Sequence, residues 1–187
     1  MSFENPSRLE KFAFRVEWSY SGRLIRPYLR GLPLRGDEVL LEIGCGGGAV
    51  TRELARLLPR GRVIGIDPSS YWVEYARARL QDPRDIVLLD DDVLTVDLAT
   101  ESIDAALFHY VLHEIPADER PSTLDRIYEL LKAEGKLFVR EPTKPKHGMS
   151  PDEIRELADS VGLREEHGRT RRSLLRGTAF EAVFRKA

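Results

Sequence analysis

Four groups of residues in this 187-residue chain could do chemistry together, and each follows a short apolar run. Gly44, Gly46, Gly47 and Gly48 follow Val39–Ile43, a run that carries one carboxylate, Glu42. Asp67 closes the run from Arg62, and Asp90, Asp91 and Asp92 close the run Ile86–Leu89. Phe108, His109, Tyr110, His113 and Glu114 stand at and after the end of the fourth run, Asp104–Phe108. A glycine turn lets a ligand approach bare backbone and is expected to offer it unpaired N–H groups. A carboxylate at a strand tip suits a ribose diol, since it accepts from both hydroxyls. A second carboxylate one strand later can accept the amino group of adenine. The constellation implies an adenosine-bearing ligand, although Gly44-x-Gly46-x-x-Ala49 also satisfies the relaxed dinucleotide fingerprint.

These residues need a frame that brings strand ends together. The apolar runs read as strands at 39–43, 62–67, 86–89, 104–108 and 136–139. Helical patterns lie between them, at 49–58 with a stripe of Leu54, Leu57 and Leu58, from Ser70 to about Leu80, and at 118–133 with Gly135 beyond the end. Ser150-Pro151-Asp152-Glu153 reads as a capping box that starts a helix ending at Gly162. Alternation of strand and helix predicts parallel crossovers in a doubly wound α/β sheet. Two last strands, 163–170 and 178–185, break the alternation and predict a hairpin with an antiparallel member. Ligands in such sheets sit beyond the carboxyl ends of the strands. Residues 5–30, with Phe12, Phe14, Trp18, Tyr20 and Tyr28, read as a helical cap or lid over residues 1–38, before a core at 39–187.

Composition narrows the classes. The length suits one domain with a sizeable core, and the net charge of −2 gives no global reason to expect nucleic acid or membrane as partner. A single cysteine, Cys45, allows no internal disulfide and fits a reducing, cytoplasmic location. No run is long and apolar enough to span a bilayer, and the first residues show no signal-peptide pattern.

Taken in order, Leu41-Glu-Ile-Gly-Cys-Gly-Gly-Gly48, Val63-Ile-Gly-Ile-Asp67, Asp92 ahead of Asp104, and Leu131-Lys-Ala-Glu-Gly-Lys-Leu-Phe138 resemble the class I S-adenosylmethionine (SAM) dependent methyltransferases. The resemblance covers residues 39–141 and implies a Rossmann-like seven-stranded sheet, mostly parallel with an antiparallel C-terminal strand. Glu42, two residues before the first glycine, separates this family from the nicotinamide dehydrogenases, which usually keep that position apolar. The resemblance implies that Gly44, Cys45, Gly46 and Gly48 lie against the methionine part and ribose of SAM, with Glu42 orienting the turn and the ligand's amino group. It places Asp67 on the ribose hydroxyls, Pro68 and Ser69 beside adenine, Asp91 or Asp92 on the adenine amino group with Val93 flanking, and Phe108 and His109 near the sulfonium. The product would be S-adenosylhomocysteine (SAH).

The acceptor side is less defined. His109, Tyr110, His113, Glu114, Glu141 and His147 are candidates, with His109 and His113 as possible base or substrate-positioning groups. The pattern Val111-Leu-His-Glu-Ile115 is similar to the branch acting on small molecules such as quinone precursors. Arg169, Arg171, Arg172 and Arg176 could touch phosphate or simply be solvated, so an RNA or protein acceptor stays open, as does a catalytically silent SAM-binding subunit. His167 reads as structural, Cys45 as a small residue in a crowded turn, and no spacing suggests a metal. Monomer and homodimer are both compatible with the sequence.

Overall fold

In the computed structural model, residues 24–80, 85–144, 147–173 and 177–187 are described. Phe12, Phe14, Trp18 and Tyr20 of the expected cap, and Arg176, lie outside them. The chain divides into two compact units, one up to Asp92 and one from Val93 onward.

The first unit is built on continuous apolar runs, which suit strands covered on both faces. Strand β1 (Val39–Ile43) pairs in parallel with β2 (Arg62–Ile66), and β2 pairs in parallel with β3 (Ile86–Leu89). Helix α1 (Ala49–Leu57) links β1 to β2, and α2 (Ser70–Arg77) lies between β2 and β3. Leu54 and Leu58 of the expected stripe are buried, while Leu57 is only half-buried. A helical segment over 24–29 buries Ile25, Tyr28 and Leu29 at helical spacing, so Tyr28 belongs to the core and not to an exposed aromatic surface. Arg26 of that segment donates to Glu53 of α1 at 2.6 Å, and Arg56 reaches the same carboxylate at 2.5 Å. Burial works to raise the Glu53 carboxyl, but Arg26, Arg56 and Arg52 outweigh it and hold the group below its ordinary range.

The second unit contains β4 (Ile103–His109), a 3-10 turn at Leu112–Glu114, α3 (Arg120–Leu130), β5 (Leu131–Pro142), α4 (Pro151–Ser160), β6 (Leu163–Ser173) and β7 (Gly177–Lys186). Its strands run in the order β4-β5-β7-β6. β4 and β5 are parallel, with His109 opposite Arg140, whereas β7 is antiparallel to both β5 and β6. The expected hairpin is therefore present, and the seven strands give the α/β, mostly parallel class with an antiparallel C-terminal pair. Strand β6 is exposed along most of its length, and Arg164, Glu165, Glu166, Arg169, Arg171 and Arg172 keep it hydrophilic. Charge on such a strand discourages pairing with another chain.

Several boundaries differ from expectation: the helix from Ser70 ends at Arg77, β5 begins at Leu131 rather than 136, and β6 runs on to Ser173. Helix α3 stops at Leu130 rather than 133, because Leu131 turns extended (φ −67°, ψ 132°) and opens β5. Lys186 explains how that end is satisfied: its buried ammonium donates to the carbonyls of Tyr128 and Leu131 at 2.9 and 2.7 Å. A cation at a helix C-terminus also complements the helix dipole. At α4 the box is only half formed. Ser150 accepts from the Glu153 N–H at 3.1 Å, while the Glu153 carboxylate takes Arg120 at 2.7 Å.

Replacing Lys186 by Met keeps the stem and leaves both carbonyls without their donor. Urea unfolding is expected to show a loss of about 1–3 kcal/mol, with an unchanged denaturant slope.

Candidate active site

The turn after β1 is set by three glycines in the left-handed region, Gly44 (φ 68°), Gly46 (φ 50°) and Gly48 (φ 78°). A side chain at Gly48 would also run into Leu80, 2.6 Å from where its Cβ would stand. The expectation that this turn offers unpaired N–H groups is not met at four of its positions. Gly44 and Cys45 both donate to the Ile66 carbonyl, at 2.9 and 3.0 Å. Gly46 donates to Asp67 at 2.8 Å, and Gly48 to the Cys45 carbonyl at 3.0 Å. A pyrophosphate needs such donors, so committing these four inside the unit counts against the dinucleotide reading.

Cys45 is buried against Gly65 of β2, where an added Cβ would stand 2.9 Å from the Cys45 Cβ. Burial pushes its thiol above the ordinary value, with Glu42 and Asp67 adding to the effect, so it stays protonated and is no nucleophile.

Glu42 points from β1 into the interior and is 2% exposed. Its Oε2 accepts from the Thr51 hydroxyl of α1 at 2.6 Å. Burial pushes the carboxyl up to about 8; the Thr51 bond opposes the rise and the neighbouring Asp67 charge adds to it. At neutral pH this group therefore holds its proton. A cationic group brought beside it would release that proton.

Asp67, one residue past β2, is organised by backbone. One oxygen takes the Gly46 N–H at 2.8 Å and the other the Ser69 N–H at 2.9 Å. Burial raises its carboxyl and these two bonds hold the rise back. Each oxygen keeps lone-pair capacity for another donor. Pro68 follows directly, and Ser69 is buried at the N-cap of α2. After β3, Asp91 accepts the Asp92 N–H at 2.8 Å, while Asp92 itself is exposed; Asp90 lies 3.4 Å from Arg77.

The second unit holds the acceptor-side candidates. Val93 and Phe108 are buried, and the rings of His109 and Tyr110 meet edge to face at 4.7 Å. Glu141, on β5, is fully buried and gathers the segment after β4. Its Oε1 accepts the N–H groups of Val111 and Leu112, each at 2.8 Å, and its Oε2 lies 2.5 Å from His113 Nδ1. The Glu141 hydrogen bond raises the His113 pKa most; burial and Arg120 oppose, while the charges of Glu141 and Glu114 add to the rise. Arg120 secures the far side, donating to the carbonyls of Ile115 and His113. Tyr110 has φ 61°, unusual for a bulky residue, and its N–H is held by the Arg140 carbonyl at 2.8 Å.

The remaining candidates are not gathered here. His147 donates its N–H to Lys144 in the loop after β5, and His167 lies exposed on β6. Arg169 is taken by buried Glu181 at 3.1 Å, which weakens the phosphate reading of the arginine cluster. Among the described residues, no three His, Cys, Asp or Glu side chains group in a way that could hold a metal. A cavity of about 230 Å³ is lined by Ala117, Arg120, Glu153, Glu156, Leu157 and Ser160, none of them a predicted ligand residue. Sequence reasoning missed Thr51, Gly65 and Arg120. Only Thr51 left a signal, a hydroxyl one turn into a helix whose preceding strand carries a lone carboxylate.

With this geometry in view, comparison with known proteins is informative. A family model described as a methyltransferase domain matches residues 40–135. An uncharacterised methyltransferase of Oceanobacillus iheyensis is 33% identical over 100 residues, 53% of this chain and 44% of that protein. Trans-aconitate 2-methyltransferase of Methylobacterium radiotolerans is 35% identical over 115 residues, 61% of this chain and 42% of that protein. A solved structure of Burkholderia thailandensis 1,6-didemethyltoxoflavin-N1-methyltransferase, with 1,6-didemethyltoxoflavin and SAH bound, has a TM-score of 0.69 at 18% identity, covering 98% of this chain and 92% of that one. That likeness is one of fold. The chain spans a third to a half of the length of the curated relatives it matches first.

Glu42 makes stability depend on pH. Between its ordinary value of 4.5 and about 8 the folded chain keeps a proton that the unfolded chain has released. Stability therefore falls as pH rises across that window. His113 acts in the same sense: its contribution is complete below its unfolded value and is lost as pH rises through the raised folded one. Glu42→Gln preserves a neutral group for Thr51 and is expected to flatten the pH dependence of urea unfolding over this window, leaving the slopes of His113 and Asp67, which have the same sign.

Proposed function

Because the chain belongs to the methyltransferase-domain family, the class I SAM-dependent methyltransferases, we propose that it transfers the methyl group of SAM to a small-molecule acceptor by in-line displacement. The observation that carries the donor half is Glu42: a buried carboxyl that holds its proton until a cation arrives, beside a turn of three left-handed glycines. The α-ammonium of a methionine moiety is such a cation, so the residues fit SAM. Gly44, Cys45, Gly46 and Gly48 would line the methionine and ribose, and Asp67 would use its spare lone pairs for the ribose hydroxyls. Pro68 and Ser69 would flank adenine. Asp91, Asp92 and Val93 would meet its amino edge, and Phe108 and His109 the sulfonium end.

Bound SAM supplies a methyl group already activated by a positive sulfur. What remains for the protein is to exclude water and align the acceptor, and positioning with electrostatics can provide most of the acceleration. A small-molecule acceptor is favoured by two likenesses: one relative is named for trans-aconitate, and one structural neighbour holds 1,6-didemethyltoxoflavin. The pairing of Arg169 with Glu181 argues against a phosphate-binding stripe for RNA.

Titration calorimetry with SAM and SAH, in two buffers of different ionisation heat, tests the reading. Below pH about 8, binding is expected to release a proton, and affinity is expected to rise with pH as Glu42 ionises more easily. Glu42→Gln should abolish that release and weaken SAM by roughly tenfold, the loss of one charge-assisted hydrogen bond. Folded protein that binds neither ligand removes the proposal, and tight, salt-sensitive tRNA binding would redirect it to nucleic acid.

A further inference from the structure

Parallel pairing brings the carboxyl ends of β4 and β5 together, His109 opposite Arg140, and places Glu141 one residue beyond that last pair. From there Glu141 does two separate things. Oε1 alone caps the Val111 and Leu112 N–H groups, which is all that a purely structural role for the turn requires. Oε2 is spent on His113, at 2.5 Å from Nδ1, which fixes the ring and places its proton on Nδ1. The other ring nitrogen, Nε2, is thereby left as the acceptor, with no hydrogen-bond partner among the described residues. The His113 ring itself is partly exposed, not sealed in the core. The left-handed Tyr110 that precedes this segment, held by the Arg140 carbonyl, keeps the chain in a costly conformation that serves to present it.

We propose that His113 Nε2 is the general base for the methyl acceptor, with Glu141 as its positioning residue, and that the acceptor atom is the oxygen of a phenolic or enolic hydroxyl. The inference rests on the methyltransferase reading and adds to it the class of acceptor. In the proton step the O–H bond breaks, its electron pair stays on the oxygen and the proton goes to the Nε2 lone pair; transfer to that oxygen would form the O–CH3 bond as the bond from the methyl carbon to the SAM sulfur breaks, its pair leaving on the sulfur of SAH. The resulting imidazolium is stabilised by the Glu141 carboxylate and returns its proton to water once product leaves. Phenols gain most from this device. An amine in its neutral form already has a free lone pair, and a thiol supplies enough thiolate unaided. An aliphatic alcohol is a far weaker acid than a phenol, so the same base assists it less.

The groups that face His113 are Glu141 of β5, Glu114 of its own turn and Arg120 of α3. The two carboxylates favour the imidazolium and Arg120 opposes it, so the base should titrate above an ordinary histidine, and Glu141→Gln should lower it. Nitrogen-15 NMR of the labelled protein reads both the tautomer and that titration, without turnover. In parallel, 4-nitrophenol added to the SAH-saturated protein reports proton transfer by its phenolate absorbance. The expected result is a neutral His113 protonated at Nδ1, phenolate formation on binding, and loss of that signal in both His113→Gln and His113→Asn. With SAM and a panel of phenols, His113→Gln should lower kcat by roughly a hundredfold, with SAM affinity within about twofold of the parent. A His113 protonated at Nε2 instead, phenolate formation unchanged in both variants, or methylation of amines alone would overturn the assignment, as would failure of the whole phenol panel. Those results leave the donor reading standing when SAM still binds; loss of SAM binding by the parent protein is the separate failure of that reading.

Discussion

A carboxylate taken out of water must be met by donors where it stands, and in this protein the nearest donors are backbone N–H groups. Glu38 takes those of Arg35, Gly36 and Asp37 and so shapes the entry to β1. Asp67 takes those of Gly46 and Ser69, joining the turn after β1 to the segment after β2. Glu141 takes Val111 and Leu112. In each case a side chain at a strand end dictates the path of a loop, so the loops at these ends are as determined as the strands. Glu42 is the exception. It accepts from a neutral hydroxyl, that of Thr51, and among the described residues it is the carboxyl pushed furthest from ionisation.

Much of this was legible in the residues. Continuous apolar runs with a glycine or aspartate at the end marked β1, β2 and β3 almost to the residue, and the broken alternation after Gly162 marked the hairpin. Less legible was anything decided by a partner distant in sequence. Helix α3 ends early because Lys186, more than fifty residues away, satisfies its last carbonyls, and no local pattern near Leu130 announces that. The same holds for the glycine turn. Local reasoning sees glycines and expects open donors; the Ile66 carbonyl and Asp67 of the neighbouring strand claim them.

Tertiary partners also separated candidates that the sequence left equal. His109, His113, His147 and His167 are all histidines beside plausible ligand positions, and the structure sets His113 against a fully buried carboxylate, Glu141. Among the arginines of β6, Arg169 is drawn into a pair with Glu181, whereas Arg171 and Arg172 face solvent. What each of these side chains meets is thus set less by its type than by what the neighbouring strand places in front of it. For the same reason the exchange of Glu141 for any other residue would be felt across three backbone and side-chain positions at once.

The packing of Cys45 onto Gly65 has a practical side. The thiol is sealed in the turn and no other cysteine competes with it. A thiol-reactive dye can therefore modify the protein only when that turn opens, and its labelling rate becomes a clock for local breathing of the first unit. The protein carries, in the turn between β1 and α1, a natural reporter that needs no engineered probe.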